Sequence, residues 1–193
     1  MQEISDKFDN LFNYILNSDL TAEAKTGGQL PFYISCYDIE SEALIDQHIN
    51  ALYNRLTSSG KIITVIDLFE IVTGVLTMNN ELQHLLHEES SYDYEERKEF
   101  FTEIHNPEKY VAPLIKNKAD ETNAQLILIK GISKIYPHLR TGHLLAVLER
   151  FISDMPVIVF FPGTYDGINL SLFGRFTDHS YRAFVLDALV NKG

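Results

Sequence analysis

The chain has 193 residues, 45% hydrophobic and 22% charged, proportions ordinary for a globular fold. Its 27 acidic residues against 16 basic ones leave a formal net charge of −11, which disfavours direct, tight nucleic-acid binding because that binding draws on clustered Lys and Arg. No apolar stretch approaches the roughly 20 residues needed to cross a bilayer, so no membrane partner is expected. The start, Met1–Asp6, lacks the basic and apolar parts of a secretory signal, and the single Cys36 has no internal disulfide partner. Both point to a reducing cytoplasm. One domain spanning 1–193 is expected, long enough to bury roughly 70% of the surface exposed when unfolded.

Taken in chain order, Ile4, Phe8, Leu11, Phe12, Ile15 and Leu16 recur at helical spacing and predict an opening amphipathic helix within 1–20. A loop at Thr26-Gly27-Gly28 precedes a first strand over Pro31–Tyr37. Asp38 or Ser41 can cap the next helix, whose stripe is Leu44, Ile45, Ile49, Leu52, Tyr53 and Leu56. Gly60 stops it, and Ile62–Asp67 is the second strand. Residues 68–119 form a helical insertion, broken near Asn79-Asn80, Ser90-Ser91 and Asn106-Pro107. A third strand covers Gln125–Lys130 and ends at Gly131. After Pro137, a buried helix face runs from Leu139 to Phe151. The fourth strand covers Pro156–Phe161. Pro162-Gly163 and Asp166-Gly167 predict turns, and Tyr181–Leu189 a fifth, terminal strand.

Strand, helix, strand thus appears early and again late. This predicts a single three-layer α/β domain, Rossmann-like or P-loop-like in layout, with a mostly parallel sheet of about five strands. Strand order is not legible. In such sheets ligands and partners gather at the carboxyl ends of the strands.

The chemistry expected at that edge is sparse. Gly60-Lys61 is followed by Ile62 and precedes a strand, so there is no Walker A phosphate cradle. No Gly-x-Gly-x-x-Gly follows a strand. Asp67 ends an apolar strand as a Walker-B aspartate does, but helix capping explains it more simply. His84, His87 and Glu88 lack a zincin pattern and read as surface residues. Ser133 reads as a turn residue, and Cys36 as a small core residue. The acidic run Glu88–Glu99 reads as a solvated helix face or loop, or else as an acidic docking surface. No cofactor, metal or catalytic residue is expected, and the chain reads as a non-enzyme. A degenerate nucleotide-binding or phosphoester-processing site using Asp38, Asp67 and Pro162-Gly163 is the competing expectation. Lys130, Lys134, Arg140, Arg175 and Arg182 follow strands or turns. They either lie over the core and pair with local acids, or form a patch gripping an anionic group on a partner.

Several of these residues carry a resemblance. Leu126–Gly131 (LILIKG), Tyr136-Pro137, Arg140, Leu144-Leu145, Leu148, Pro156–Gly163 (PVIVFFPG), Tyr165-Asp166-Gly167, Leu170, Leu172-Phe173-Gly174 and Tyr181–Phe184 (YRAF) together resemble the BrxB family of bacteriophage exclusion (BREX) systems. The specific motifs lie within 125–189, with Gly131, Pro137, Pro162, Gly163, Asp166, Gly167 and Gly174 as its turn residues. The resemblance implies a non-catalytic, cytoplasmic accessory or adaptor subunit in anti-phage defence. The family travels with an alkaline-phosphatase-like protein of the PglZ type, an AAA+-type ATPase, an adenine methyltransferase and a small RNA-binding-like protein, and PglZ is the partner expected first. It implies no catalytic residues. Residue types common at interfaces nominate Arg140, Tyr165, Arg175, Tyr181 and Arg182 for partner binding, with Phe173 as core.

Overall fold

The computed structural model describes residues 2–78, 81–88, 91–177 and 180–191; the side chains of residues 2, 84–86 and 88 fall outside that description. The opening amphipathic pattern forms two helices, α1 (Gln2–Asn17) and α2 (Leu20–Thr26). Strand β1 (Phe32–Tyr37) follows, then a 3₁₀ turn (Ile39–Ser41) and α3 (Glu42–Ser58). Both proposed cap residues stand at helix starts, but only Asp38 accepts a bond through its side chain, from the Glu40 N–H at 2.9 Å.

Strand β2 (Ile63–Asp67) leads into the helical insertion: α4 (Leu68–Met78), α5 (Glu81–Glu88), α6 (Tyr94–Ile104), a π-helical turn (Pro107–Val111) and α7 (Ala112–Thr122). Asp93 and Glu96 start α6 with a reciprocal capping box, and Asn123 ends α7 at positive φ. Strand β3 (Leu126–Lys130) is followed by the short α8 (Ile132–Ile135), which periodicity does not reveal, and by α9 (Thr141–Leu148). Strands β4 (Val157–Tyr165), β5 (Leu170–Leu172), β6 (Phe176–Thr177) and β7 (Phe184–Val185) precede α10 (Leu186–Val190).

Five strands lie parallel in the order β2-β3-β4-β1-β7, and β5 and β6 extend β4 as an antiparallel flap. Helices cover both faces, giving a three-layer Rossmann-like arrangement. Period-two alternation explains it: in β3, Ile127 and Ile129 enter one core, while Leu126 and Leu128 enter the other. Strand β4 divides alike, Val157, Val159 and Phe161 against Ile158 and Phe160. The first core is roofed by α4, α7, α8 and α9, the second by α1, α3 and α10. Each fully buried Ile, Leu or Phe contributes roughly 1.5–3 kcal/mol of transfer free energy.

Two expectations need correction. Pro162-Gly163 is not a turn but lies inside β4, which runs four residues past the predicted end. There the strand leaves β1, at the Tyr37–Pro162 pair, and takes up β5 at Gly163–Leu172. Gly163 is required by that transfer: at φ 153°, a Cβ would sit 2.1 Å from the Ser171 carbonyl oxygen. The terminal strand is also only two residues long. Beyond Val185 the chain turns helical, and the Asp187 carboxylate takes the place on β1 that a longer strand would occupy. It accepts from the Cys36 N–H and the Ser35 hydroxyl, both at 2.9 Å. Asp166-Gly167 does form a turn, between β4 and β5, with Asp166 accepting from the Ile168 and Asn169 N–H groups.

Candidate functional site

The carboxyl ends of β1, β2 and β3 meet in one polar network. Lys130, at the end of β3, donates to Asp46 of α3 at 2.9 Å and lies 3.5 Å from Asp67 at the end of β2. Lys134 of α8 lies 3.5 Å from both carboxylates. Nearby, Glu42 accepts the Tyr37 hydroxyl at 2.6 Å and the Ser133 hydroxyl at 2.7 Å. Burial pushes the Asp46 carboxyl up, but Lys130 and Lys134 together outweigh it and hold the group below the usual carboxylate range. Burial likewise lowers Lys134, and the two aspartates outweigh it in the other direction.

Asp67 also caps α4, accepting the Phe69 N–H at 3.0 Å. Asp38 is held by its own turn. Of the five basic residues that follow strands or turns, Lys130 and Lys134 therefore pair with local acids. Gly131 sits at φ 83° against Asp67 and the Leu68 backbone that begins α4. Two lysines facing Asp46 and Asp67 make an edge already neutralised by the chain's own carboxylates. A polyphosphate there has to displace them.

The nominated arginines part company with the lysines. Arg140, Arg175 and Arg182 form no ion pair among the described residues. The Arg140 guanidinium carbon lies 4.8 Å from the centroid of the Tyr136 ring. That ring meets Phe173 edge-on at 6.1 Å and Phe176 at 5.4 Å, and Phe173 meets Phe176 edge-on at 6.3 Å. The Tyr136–Pro137 peptide is cis. Phe173 and Gly174 form the tip between β5 and β6, both at positive φ (54° and 66°), as in a type I′ hairpin turn. The Phe173 N–H is tied to the Pro162 carbonyl at 2.8 Å. Phe176 is 45% exposed, and Arg175 beside it is exposed as well. A cleft of about 360 Å³ lies alongside, lined by Ile39, Thr164, Phe173 and Gly174 among others.

Tyr165 and Tyr181, nominated for partner contact, are instead buried. The Tyr165 hydroxyl accepts the Ala183 N–H at 2.7 Å and lies 2.9 Å from the Tyr181 carbonyl, to which it donates. The Tyr181 hydroxyl donates to Glu149 at 2.7 Å. Desolvation pushes both phenols up, reinforced by Glu149 at Tyr181. They fasten the Tyr181–Ala183 segment to the body, because a buried phenol stays only where its O–H is matched. Phe173 is half-buried, its ring shared between the first core and the surface cluster. Sequence reasoning nominated neither Tyr136 nor Phe176 for contact, and no local signal singles them out from core aromatics.

The pairing of His84 with Glu88 falls on side chains outside the described residues. Among the described residues no group of three or more His, Cys, Asp or Glu is placed to hold a metal ion. No helix among them is long and apolar enough to cross a membrane.

A family model described as BREX protein BrxB matches residues 64–186. The chain belongs to the BrxB family. A BrxB of Bacillus cereus (strain H3081.97) is 27% identical over 197 residues, covering 96% of this chain and 98% of that protein. A BrxB of Escherichia coli O9:H4 (strain HS) is 26% identical over 162 residues, covering 83% of this chain and 80% of that protein. No solved structure matches the chain.

In structural terms the BrxB match begins at the second residue of β2 and ends at the first of α10. It takes in the helical insertion, the β4–β5–β6 flap and every member of the aromatic cluster. The other edge of the site is built from segments outside it, on both sides in sequence. A cleft of about 960 Å³ opens at the carboxyl end of β1, lined in part by Glu3, Asp6, Lys7, Asp38 and Asp187. Lys7 pairs with Asp187 at 2.8 Å and also donates to the Cys36 carbonyl. Burial, reinforced by Asp187, pushes the Cys36 thiol up to about 12, which keeps it protonated and unreactive as a nucleophile.

Proposed function

We propose that this chain is a non-catalytic accessory subunit of a BREX system. It acts by holding another BREX subunit, the PglZ-type protein first, against the loops after β3 and β4. The observation that carries this reading is the surface cluster of Tyr136, Phe173, Phe176 and Arg140. Aromatic rings and an arginine without an internal carboxylate are the side chains that dominate interface energetics. The ion network under α8 supports the same reading, since its lysines and carboxylates already satisfy one another.

The test is co-purification of tagged Arg140→Ala and Phe176→Ala variants with the PglZ-type subunit, alongside their thermal unfolding. Both variants are expected to keep the wild-type melting temperature within about 2 °C, as surface substitutions do. Each is expected to lose at least about tenfold in capture, the 1.4 kcal/mol of one hot-spot contact. Undiminished capture by both variants overturns the reading.

A further inference from the structure

Resting on that reading, we infer that the segment received by the Arg140–Tyr136–Phe176 surface is an extended, acidic stretch of the partner carrying a large apolar side chain. Three independent features define this occupant. The first is charge. In a chain with 27 acidic residues, eight basic side chains between Lys7 and Arg150 pair with a carboxylate, whereas Arg140 and Arg175, which flank the aromatic cluster, do not among the described residues, as is also true of Lys25, Lys61, Arg97, Lys118 and Arg182. The contact with the Tyr136 ring places the Arg140 guanidinium at the aromatic cluster, and an arginine held there can still grip a carboxylate.

The second feature is backbone strain. Phe173 sits at φ 54°, a region where Asn or Gly is readily accommodated and a bulky residue is an outlier. Such outliers concentrate at functional positions, because stability alone selects against them. Holding a phenylalanine at this tip keeps a ring beside Phe176 and Tyr136, where it can cover an incoming apolar side chain. The third is an open edge. Among the described residues strand β6 pairs only with β5, so its outer side is a template for an extended segment, and Phe176 and Thr177 are exposed.

Nucleic acid shares the anionic and stacking chemistry but fits less well. The Debye length is about 8 Å at physiological salt, so a short segment senses mainly Arg140 and Arg175. A polynucleotide running on for tens of ångströms crosses an acidic surface of net charge −11.

The test places the photo-cross-linker benzoylphenylalanine at Phe176, in the full chain co-expressed with the other BREX subunits. Cross-linked peptides are read by mass spectrometry. The expected product joins position 176 to a partner peptide with two or more Asp or Glu residues flanking a Leu, Ile, Phe, Tyr or Trp. Arg140→Glu/Arg175→Glu is expected to cut that product at least tenfold, and Arg140→Lys/Arg175→Lys by no more than threefold. Cross-linking to nucleic acid, to a second copy of this chain, or to a partner peptide lacking acidic residues overturns the inference. So does a complex that forms without any cross-link at 176, which leaves the adaptor reading standing. Failure of any complex to form removes both.

Discussion

Gly131 and Asp67 approach so closely that a Cβ on residue 131 would lie 2.6 Å from the Asp67 Oδ1. The end of β3 is therefore fitted around the carboxylate that ends β2, and the two lysines beside it are fitted around the same group. Gly131→Ala meets that contact and is also forced to φ 83°, a region unfavourable to alanine. The expected loss is about 1–3 kcal/mol, read from the urea midpoint at unchanged slope. A midpoint equal to wild type means that β3 and β2 do not meet as described.

The two lysines of the network are not equivalent. The side chains of Lys130 and Asp67 are 15% and 10% exposed, whereas Lys134 is 35% exposed. Lys130→Ala removes the more deeply buried cation and leaves Asp67 with only the half-open Lys134 and the Phe69 N–H, and is expected to cost about 2 kcal/mol. Lys134→Ala removes a screened, half-open contact and is expected to cost less than about 1 kcal/mol. Equal effects in paired urea titrations contradict this asymmetry.

Tyr165→Phe isolates one hydroxyl. The ring remains, but the Ala183 N–H loses the acceptor it finds at 2.7 Å, and the Tyr181 carbonyl loses a donor. Leaving buried backbone groups unmatched costs about 1–3 kcal/mol. Amide hydrogen exchange at Ala183 is expected to accelerate before global stability is lost. Slow exchange at Ala183 in the variant shows that the phenol does not hold the Tyr181–Ala183 segment.

His105 is buried against His138 and Phe101, its ring centroid 5.3 Å and 5.8 Å from theirs. Desolvation, helped slightly by His138, lowers it to about 4 against a bond to the Phe101 carbonyl, and desolvation lowers His138 too. A folded-state value below the unfolded 6.5 means the unfolded chain binds protons more readily. The stability involved is therefore complete above about pH 6.5 and, for His105, lost as pH falls toward 4, at up to about 1.4 kcal/mol per unit. Urea midpoints between pH 7.5 and 4.5 are expected to fall less steeply in His105→Phe than in wild type. Parallel slopes rule out the buried neutral imidazole. The Asp46 carboxylate titrates below this window, since its ordinary value is 3.8 and its folded value lower.

The sequence by itself determined what is local. Alternating apolar runs defined β1 to β4, helical spacing defined α1 and α3, and the break near Asn106 divided the insertion, because these signals are complete within a few residues; the breaks expected at Asn79-Asn80 and Ser90 lie outside the described residues. The missing Walker A motif was legible for the same reason, as were the turn residues Asp166 and Gly167. Only the tertiary structure decided what depends on distant partners. It set β1 between β4 and β7, extended β4 through Pro162-Gly163 to meet β5, and ended β7 where Asp187 reaches Cys36, 151 positions earlier. It gave Lys130 to Asp46, 84 residues away, and left Arg140 to Tyr136 and an open surface. It also turned Tyr165 and Tyr181 inward. Burial and ion pairing come from which elements pack together, and periodicity along the chain carries no record of that choice.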